Sequence, residues 1–330
     1  CALLRSRRLK NKKVSLPSAA WVTSVSPFIR LGYEPVMCEA DPDTWGLDPV
    51  HLEELLAEHR PATVMLVHVL GVPAKMEEIL FLQQKYGFFL LEDSCAALGS
   101  TYAKQKVGTF GIMSSVSTYY GHQFSTIEGG MIFTHNFELH NLLLMLRNHG
   151  NTAQLSVPSK ERQLERYGLT DEIQTDFNSI EAGYNVRPLE IEAFLGLRQL
   201  MYFDWSAEKR FANHQLYEKI LGPHFQIQRY DQANTVCSIH FCALAKNRKQ
   251  RNRIIKALEM EKISTRPFLH GNQGRHPYWF RMYGQFGGTM ADRLHNCGFF
   301  LPNPPYLEPA DIQFICDLVL KTIEEDHNGN

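Results

Sequence analysis

Between Val14 and Leu91 short apolar runs alternate with longer amphipathic ones, and few folds accept that rhythm. Val14 to Pro17, Pro35 to Glu39, Thr63 to Val69 and Phe88 to Leu91 read as strands. Trp21 to Leu31, Val50 to Glu58 and Lys75 to Tyr86 read as helices, the first stopped by Gly32. This is the βαβ pattern of a mostly parallel, doubly wound sheet, so the fold class is α/β. Asn136 to Arg147 continues as a helix, Asn148 to Ile180 reads as a polar, loop-rich excursion, and a further helix runs from Glu190 to about Tyr202. After a helical stretch around Glu208 to Leu221 the chain changes character. Strands at Phe225 to Arg229, Val236 to Leu244 and Ser264 to Pro267, a helix at Lys249 to Glu259, the run Phe299 to Pro304 and a helix from Pro309 to Ile323 read as a small C-terminal α/β domain. The division expected is a large domain over 1–205 and a small one over 206–330.

Composition narrows the partners. With 34 basic and 35 acidic residues the formal net charge is −1, which gives no electrostatic reason to bind nucleic acid or an anionic membrane. The basic cluster from Arg5 to Lys13 reads as a solvated face. Seven scattered cysteines without a CxxC spacing argue for reduced thiols and against a metal centre. No apolar run approaches a membrane span and no signal peptide is seen, so a cytoplasmic protein is expected.

Two polar stretches stand where strands end. Ser117-Thr118-Tyr119-Tyr120-Gly121-His122-Gln123-Phe124-Ser125-Thr126-Ile127-Glu128-Gly129-Gly130 lies between the run Gly111 to Val116 and the short strand Met131 to Thr134. Leu90-Leu91-Glu92-Asp93 ends in two acids before the small residues Ser94 to Ser100. In doubly wound sheets ligands bind at the carboxyl ends of strands. Each stretch alone is ordinary turn chemistry.

Taken together, they closely resemble the DegT/StrS family of pyridoxal-phosphate-dependent nucleotide-sugar enzymes. The resemblance implies the aspartate aminotransferase fold type, and it covers nearly the whole chain from about Val14. In that family the position of His122 is usually a lysine that carries the cofactor as a Schiff base. Imidazole cannot form that bond. His122 instead resembles the subgroup of sugar 3-dehydratases that use pyridoxamine phosphate, where it would act as the catalytic acid and base. The resemblance further implies Asp93 at the cofactor's ring nitrogen, Trp21 against the ring face and Ser117 at the phosphate. Gly183-Tyr184-Asn185-Val186-Arg187-Pro188 resembles the family segment that supplies Asn185 and Arg187 to a partner subunit's cofactor phosphate, so a homodimer with shared sites is implied. Pro188 also suits an ordinary helix entry.

Thr265-Arg266-Pro267-Phe268-Leu269-His270-Gly271-Asn272 is similar to the dehydratases' substrate segment, which makes Arg266 and Asn272 substrate-binding candidates. The implied substrate is a nucleotide-linked 4-keto-6-deoxy sugar, and the implied amino donor a compound such as glutamate. Two departures stand out. Ala96 occupies a position where relatives carry Gln or an acid near the ring hydroxyl, and the chain enters the family pattern late, without the N-terminal helix and Gly-Ser phosphate loop. An iron–sulfur relative is excluded by the lack of a Cys-x-Cys cluster. A sugar aminotransferase and a non-catalytic family member are the alternatives.

Overall fold

The computed structural model describes residues 1–169 and 178–328. A short helix α1 (Ala2–Arg5) precedes β1 (Lys13–Pro17), α2 (Ser26–Arg30), β2 (Glu34–Cys38), α3 (Pro49–His59), β3 (Thr63–Val67), α4 (Met76–Tyr86) and β4 (Phe89–Asp93). After the two-residue strands β5 (Thr101–Tyr102) and β6 (Gln105–Lys106) come β7 (Met113–Ser117), β8 (Gly130–Phe133) and α5 (Phe137–Arg147). These build a six-stranded sheet of order β2-β1-β3-β4-β7-β8. All its pairs are parallel except β7 with β8. The α/β reading therefore holds.

The registers explain the site. Val67 pairs with Asp93 and Asp93 with Ser115, so the carboxyl ends of β3, β4 and β7 finish at one level and open into one crevice. Beneath it, β3 is buried at every position. A strand covered on both faces reads as an uninterrupted apolar run, as Thr63-Val64-Met65-Leu66-Val67 does.

The second lobe follows α6 (Val157–Arg166), α7 (Glu190–Leu200) and α8 (Phe203–Leu221). Its three-stranded antiparallel sheet, order β11-β10-β9, comprises β9 (Gln226–Ile227), β10 (His240–Leu244) and β11 (Gly298–Pro302). It is packed by α9 (Arg248–Met260), α10 (Pro277–Tyr283), α11 (Thr289–Cys297) and α12 (Pro309–Asn328). One buried apolar cluster runs across the junction, with Ala19, Ala20, Trp45, Val67 and Leu70 from the first lobe against Ile239, Phe268, Leu294 and Phe300 from the second.

Three buried glutamine amides also cross it. Gln123 Nε2 donates to the carbonyls of Ala96 and Cys237, Gln228 Nε2 to those of Thr44 and Val69, and Gln273 Nε2 to that of Ala20. Backbone fit is equally close: a Cβ on Gly71 would stand 2.7 Å from the Cys237 oxygen, and φ there is +95°. Only glycine fits without displacement.

Local departures from the sequence reading have simple causes. Trp21 to Leu31 is a 3-10 turn (Val22–Ser24) and then α2, because Pro27 lacks an N–H and the chain restarts there. Ser264 to Pro267 is no strand. It makes one bridge, Pro267 to Phe299. The polar excursion holds α6, with Pro158 in its first turn; residues 170–177 of that stretch lie outside the described residues. The 205/206 division falls inside α8. Among the described residues no helix is long and apolar enough to cross a membrane and no cluster suited to a metal is found.

Candidate active site

Asp93 is the last residue of β4, and pleating turns it away from its neighbour Glu92. Its carboxylate accepts from Ser24 Oγ at 2.6 Å and from the backbone N–H of Cys95 at 3.0 Å. His68 N–H, at 3.1 Å, holds the Asp93 carbonyl. Both side-chain bonds orient the carboxylate without spending all of its lone pairs.

Glu92 faces the other way, fully buried. It accepts from His68 Nε2 at 3.0 Å and from the N–H groups of Gly108, Phe110 and Gly111. Burial works to raise its carboxyl pKa, but the His68 bond and these amides outweigh it and hold the group below the usual range. His68 Nδ1 in turn accepts from Ala74 N–H, so the proton sits on Nε2.

His122 stands on the loop between β7 and β8. That loop is closed on itself: Thr118 N–H donates to the Gly129 carbonyl, Thr126 N–H to Thr118 and Tyr120 N–H to Ile127, and Thr126 Oγ1 lies 2.7 Å from Thr118 Oγ1. Gly129 has φ +127°, and a Cβ there would fall 2.8 Å from Thr118 Oγ1. Glycine is required to close the turn. His122 Nδ1 is buried without a partner. Burial lowers the imidazole pKa, with the Arg266 and Arg210 charges acting the same way and the Tyr119 backbone and the Asp93 charge opposing them. The group feels the charge of Asp93 across the crevice.

Trp21 is 39% exposed. His270 stacks on it, ring centroids 3.6 Å apart, which covers one face of the indole. The Arg266 guanidinium carbon lies 5.7 Å from the Trp21 ring centre and 5.3 Å from that of Phe300, held by cation–π contact and without an acidic partner among the described residues. Ser117 Oγ, at the end of β7, accepts from Tyr119 N–H at 3.2 Å and keeps its own proton to give.

The structure does not gather every candidate. Asn272 is fully buried and its amide is spent, donating to the Phe286 carbonyl and Asp292 and accepting from Gly274 N–H. It shapes the turn and has nothing left for a substrate, which corrects its place among the substrate contacts. Asn185 and Arg187 are exposed, joined to each other at 3.3 Å, with Asn185 bridging Asn148 at the end of α5. They face outward beside α7, whose Ile191, Phe194, Leu197 and Leu200 are exposed as well.

Two residues at the site carry no sequence signal. His240 begins β10 with a buried, unpartnered Nδ1 and stacks on Phe300 at 5.0 Å; burial first, then the Arg266 and Arg210 charges, pushes its pKa down to about 3. Arg210 on α8 is buried and donates to the Asn303 carbonyl at 2.6 Å.

Comparison with known proteins agrees with this geometry. The family model described as the DegT/DnrJ/EryC1/StrS aminotransferase family matches residues 2–320. The chain is 28% identical over 270 residues to the GDP-4-keto-6-deoxy-D-mannose 3-dehydratase of Escherichia coli O55:H7, covering 81% of this chain and 69% of that protein. It is 27% identical over 321 residues to the UDP-4-amino-4,6-dideoxy-N-acetyl-beta-L-altrosamine transaminase of Helicobacter pylori, covering 96% and 79%. The solved structure of the E. coli 3-dehydratase with bound hydrated PLP superimposes with a TM-score of 0.86 at 25% identity, covering 96% of this chain and 83% of that one. A match over residues 2–320, on a sheet whose strand ends carry Asp93 and the His122 loop, leaves one conclusion: this chain belongs to the DegT/DnrJ/EryC1/StrS aminotransferase family.

Proposed function

We propose that this chain is a pyridoxamine-phosphate-dependent nucleotide-sugar 3-dehydratase acting on a 4-keto-6-deoxy sugar. The observation that carries the reading is His122: an imidazole stands where the family resemblance puts a lysine, with its buried Nδ1 unpartnered. The residues fit the cofactor. Asp93 retains free lone pairs at a strand end, Ser117 has a free hydroxyl proton, and an orphaned buried nitrogen on His122 awaits a polar group. Asp93 would meet the ring nitrogen, Ser117 the phosphate, and the uncovered face of Trp21 the ring. When bound, the cofactor supplies an amine for the keto carbon and an electron-accepting ring.

The chain does the rest. Asp93, aimed by Ser24 and the Cys95 amide, keeps the ring nitrogen protonated by its charge. His122 would take a proton at the carbon bearing the cofactor's amine and deliver one to the departing C3 hydroxyl, since an imidazole can both accept and donate a proton. Arg266, pinned between Trp21 and Phe300, offers its N–H edges to the sugar nucleotide. A glutamate-like donor would supply the cofactor's amine for a further round. Homodimer formation belongs to this reading: the exposed apolar side of α7 and the neighbouring Asn185 and Arg187 suit contact with a second copy and its cofactor phosphate. Cytoplasmic work belongs to it too, with all seven cysteines free.

The aminotransferase alternative draws on the transaminase relative, which is matched almost as well. It needs a lysine on the cofactor. Borohydride reduction of the pyridoxal-phosphate form, denaturation and mass measurement separate the two. We expect no phosphopyridoxyl adduct, together with ammonia release on turnover of the keto sugar, its nitrogen coming from the cofactor's amine; an adduct on one native lysine would overturn the dehydratase assignment.

A further inference from the structure

Gln123 follows His122 and is 6% exposed. Its Nε2 donates to the Ala96 carbonyl and to the Cys237 carbonyl, each at 2.6 Å. Both neighbours are acceptors, so the amide has one orientation, and its Oε1 is left buried without a partner. Leaving a buried acceptor unmade is costly, so the two short bonds outweigh that cost.

The anchors are themselves fixed. Cys237 N–H donates to Ser100 Oγ at 2.8 Å, Ser100 Oγ donates to the Gly71 carbonyl at 2.6 Å, and Gly71 packs on Cys237 without room for a Cβ. Ala96 lies in the turn that follows Asp93, whose carboxylate holds the Cys95 amide. One side chain therefore ties the His122 loop to the Asp93 turn and to the second lobe at once. His122 donates its backbone N–H to the Tyr119 carbonyl at 3.0 Å, and its ring Nδ1 is buried without a partner.

We infer that Gln123 is the positioning residue for His122: its amide, clamped between the Ala96 and Cys237 carbonyls, sets the height and burial of the imidazole over Asp93. That this positioning serves proton transfer rests on the dehydratase reading. The positioning itself does not.

The test replaces Gln123→Met, which keeps length and removes both donors. The His122 imidazole is titrated by NMR in the cofactor-free, histidine-labelled protein, with His122→Asn identifying the resonance. The wild-type midpoint should lie below the ordinary value of about 6.5, and the Met variant's should rise towards it as the loop gains water. Turnover should fall roughly tenfold or more with KM changed less than about threefold, as for a displaced proton-transfer group. A purely structural glutamine would lower the melting temperature and leave the midpoint in place. A folded Met variant with the wild-type midpoint and wild-type kcat overturns the inference. If the midpoint moves but neither protein, loaded with pyridoxamine phosphate, releases ammonia when given the keto sugar, the positioning stands and the dehydratase reading falls. Should Gln123→Met fail to fold, Gln123→Asn, which reaches only one carbonyl, is titrated instead; an intermediate midpoint supports the clamp and an unmoved one overturns it.

Discussion

His68 and His122 follow strands on either side of β4, and they are finished in opposite ways. His68 is fully buried with both ring nitrogens engaged, one by Glu92 and one by the Ala74 amide. His122 has a buried Nδ1 without a hydrogen-bond partner. The same contrast separates Glu92, with four donors, from Asp93, with two. In these two pairs the fully bonded members, His68 and Glu92, hold the framework of the crevice, while His122 and Asp93 keep bonding capacity to spare.

The largest effect should come from the unfinished member. His122→Asn is expected to cut ammonia release by roughly 10²–10⁴ while changing unfolding free energy by less than about 0.5 kcal/mol. A large loss of stability with it would erase the contrast. Glu92→Gln should do the reverse, costing about 3 kcal/mol in urea unfolding, because an amide must point its NH₂ at N–H donors and strands the imidazole. If its denaturation midpoint matched wild type, the buried pair would not be the framework described.

A pH series sharpens the point with a third buried imidazole. Burial pushes the His214 pKa down to about 3, and its Nε2 is unpartnered. The unfolded chain takes up that proton below about 6.5 and the folded chain only near 3, so stability should fall with decreasing pH between them. The slope is at most ~1.4 kcal/mol per pH unit for this group. Urea midpoints across this range should show a shallower acid slope in His214→Asn. The smallest effect belongs to Ser24→Ala, which removes one of the two bonds aiming Asp93. It should cost about 1 kcal/mol, seen as about a fivefold fall in turnover.

The sheet was legible because its strands are buried on both faces and carry their own signal, as Thr63 to Val67 does. Helix α6 was hidden because Val157-Pro158-Ser159-Lys160-Glu161 shows almost no apolar face, its burial resting on Ser159 and Leu164. Asp93 and His122 stand out as candidates through a motif whose spacing is visible in the sequence. Asn272 was misread because motif position cannot say whether an amide is already spent inside its own turn. His240 and Arg210 reach the site only through the second lobe's strand and helix, and no local spacing announces contacts made across a fold.

The three glutamines that cross the junction have a thermal consequence. Each commits its donor group to a carbonyl of the opposite lobe, Gln123 also to that of Ala96 in the Asp93 turn, and each is nearly dry: Gln123, Gln228 and Gln273 are 6%, 4% and 0% exposed. Freeing one lobe would strand these donors and expose the shared apolar cluster in the same step. Neither lobe has a melted partner it can outlive. Scanning calorimetry should therefore record one endotherm, with van't Hoff and calorimetric enthalpies in agreement, instead of two resolved transitions. Because the crossing bonds carry no net charge, that endotherm should hold its place as ionic strength rises.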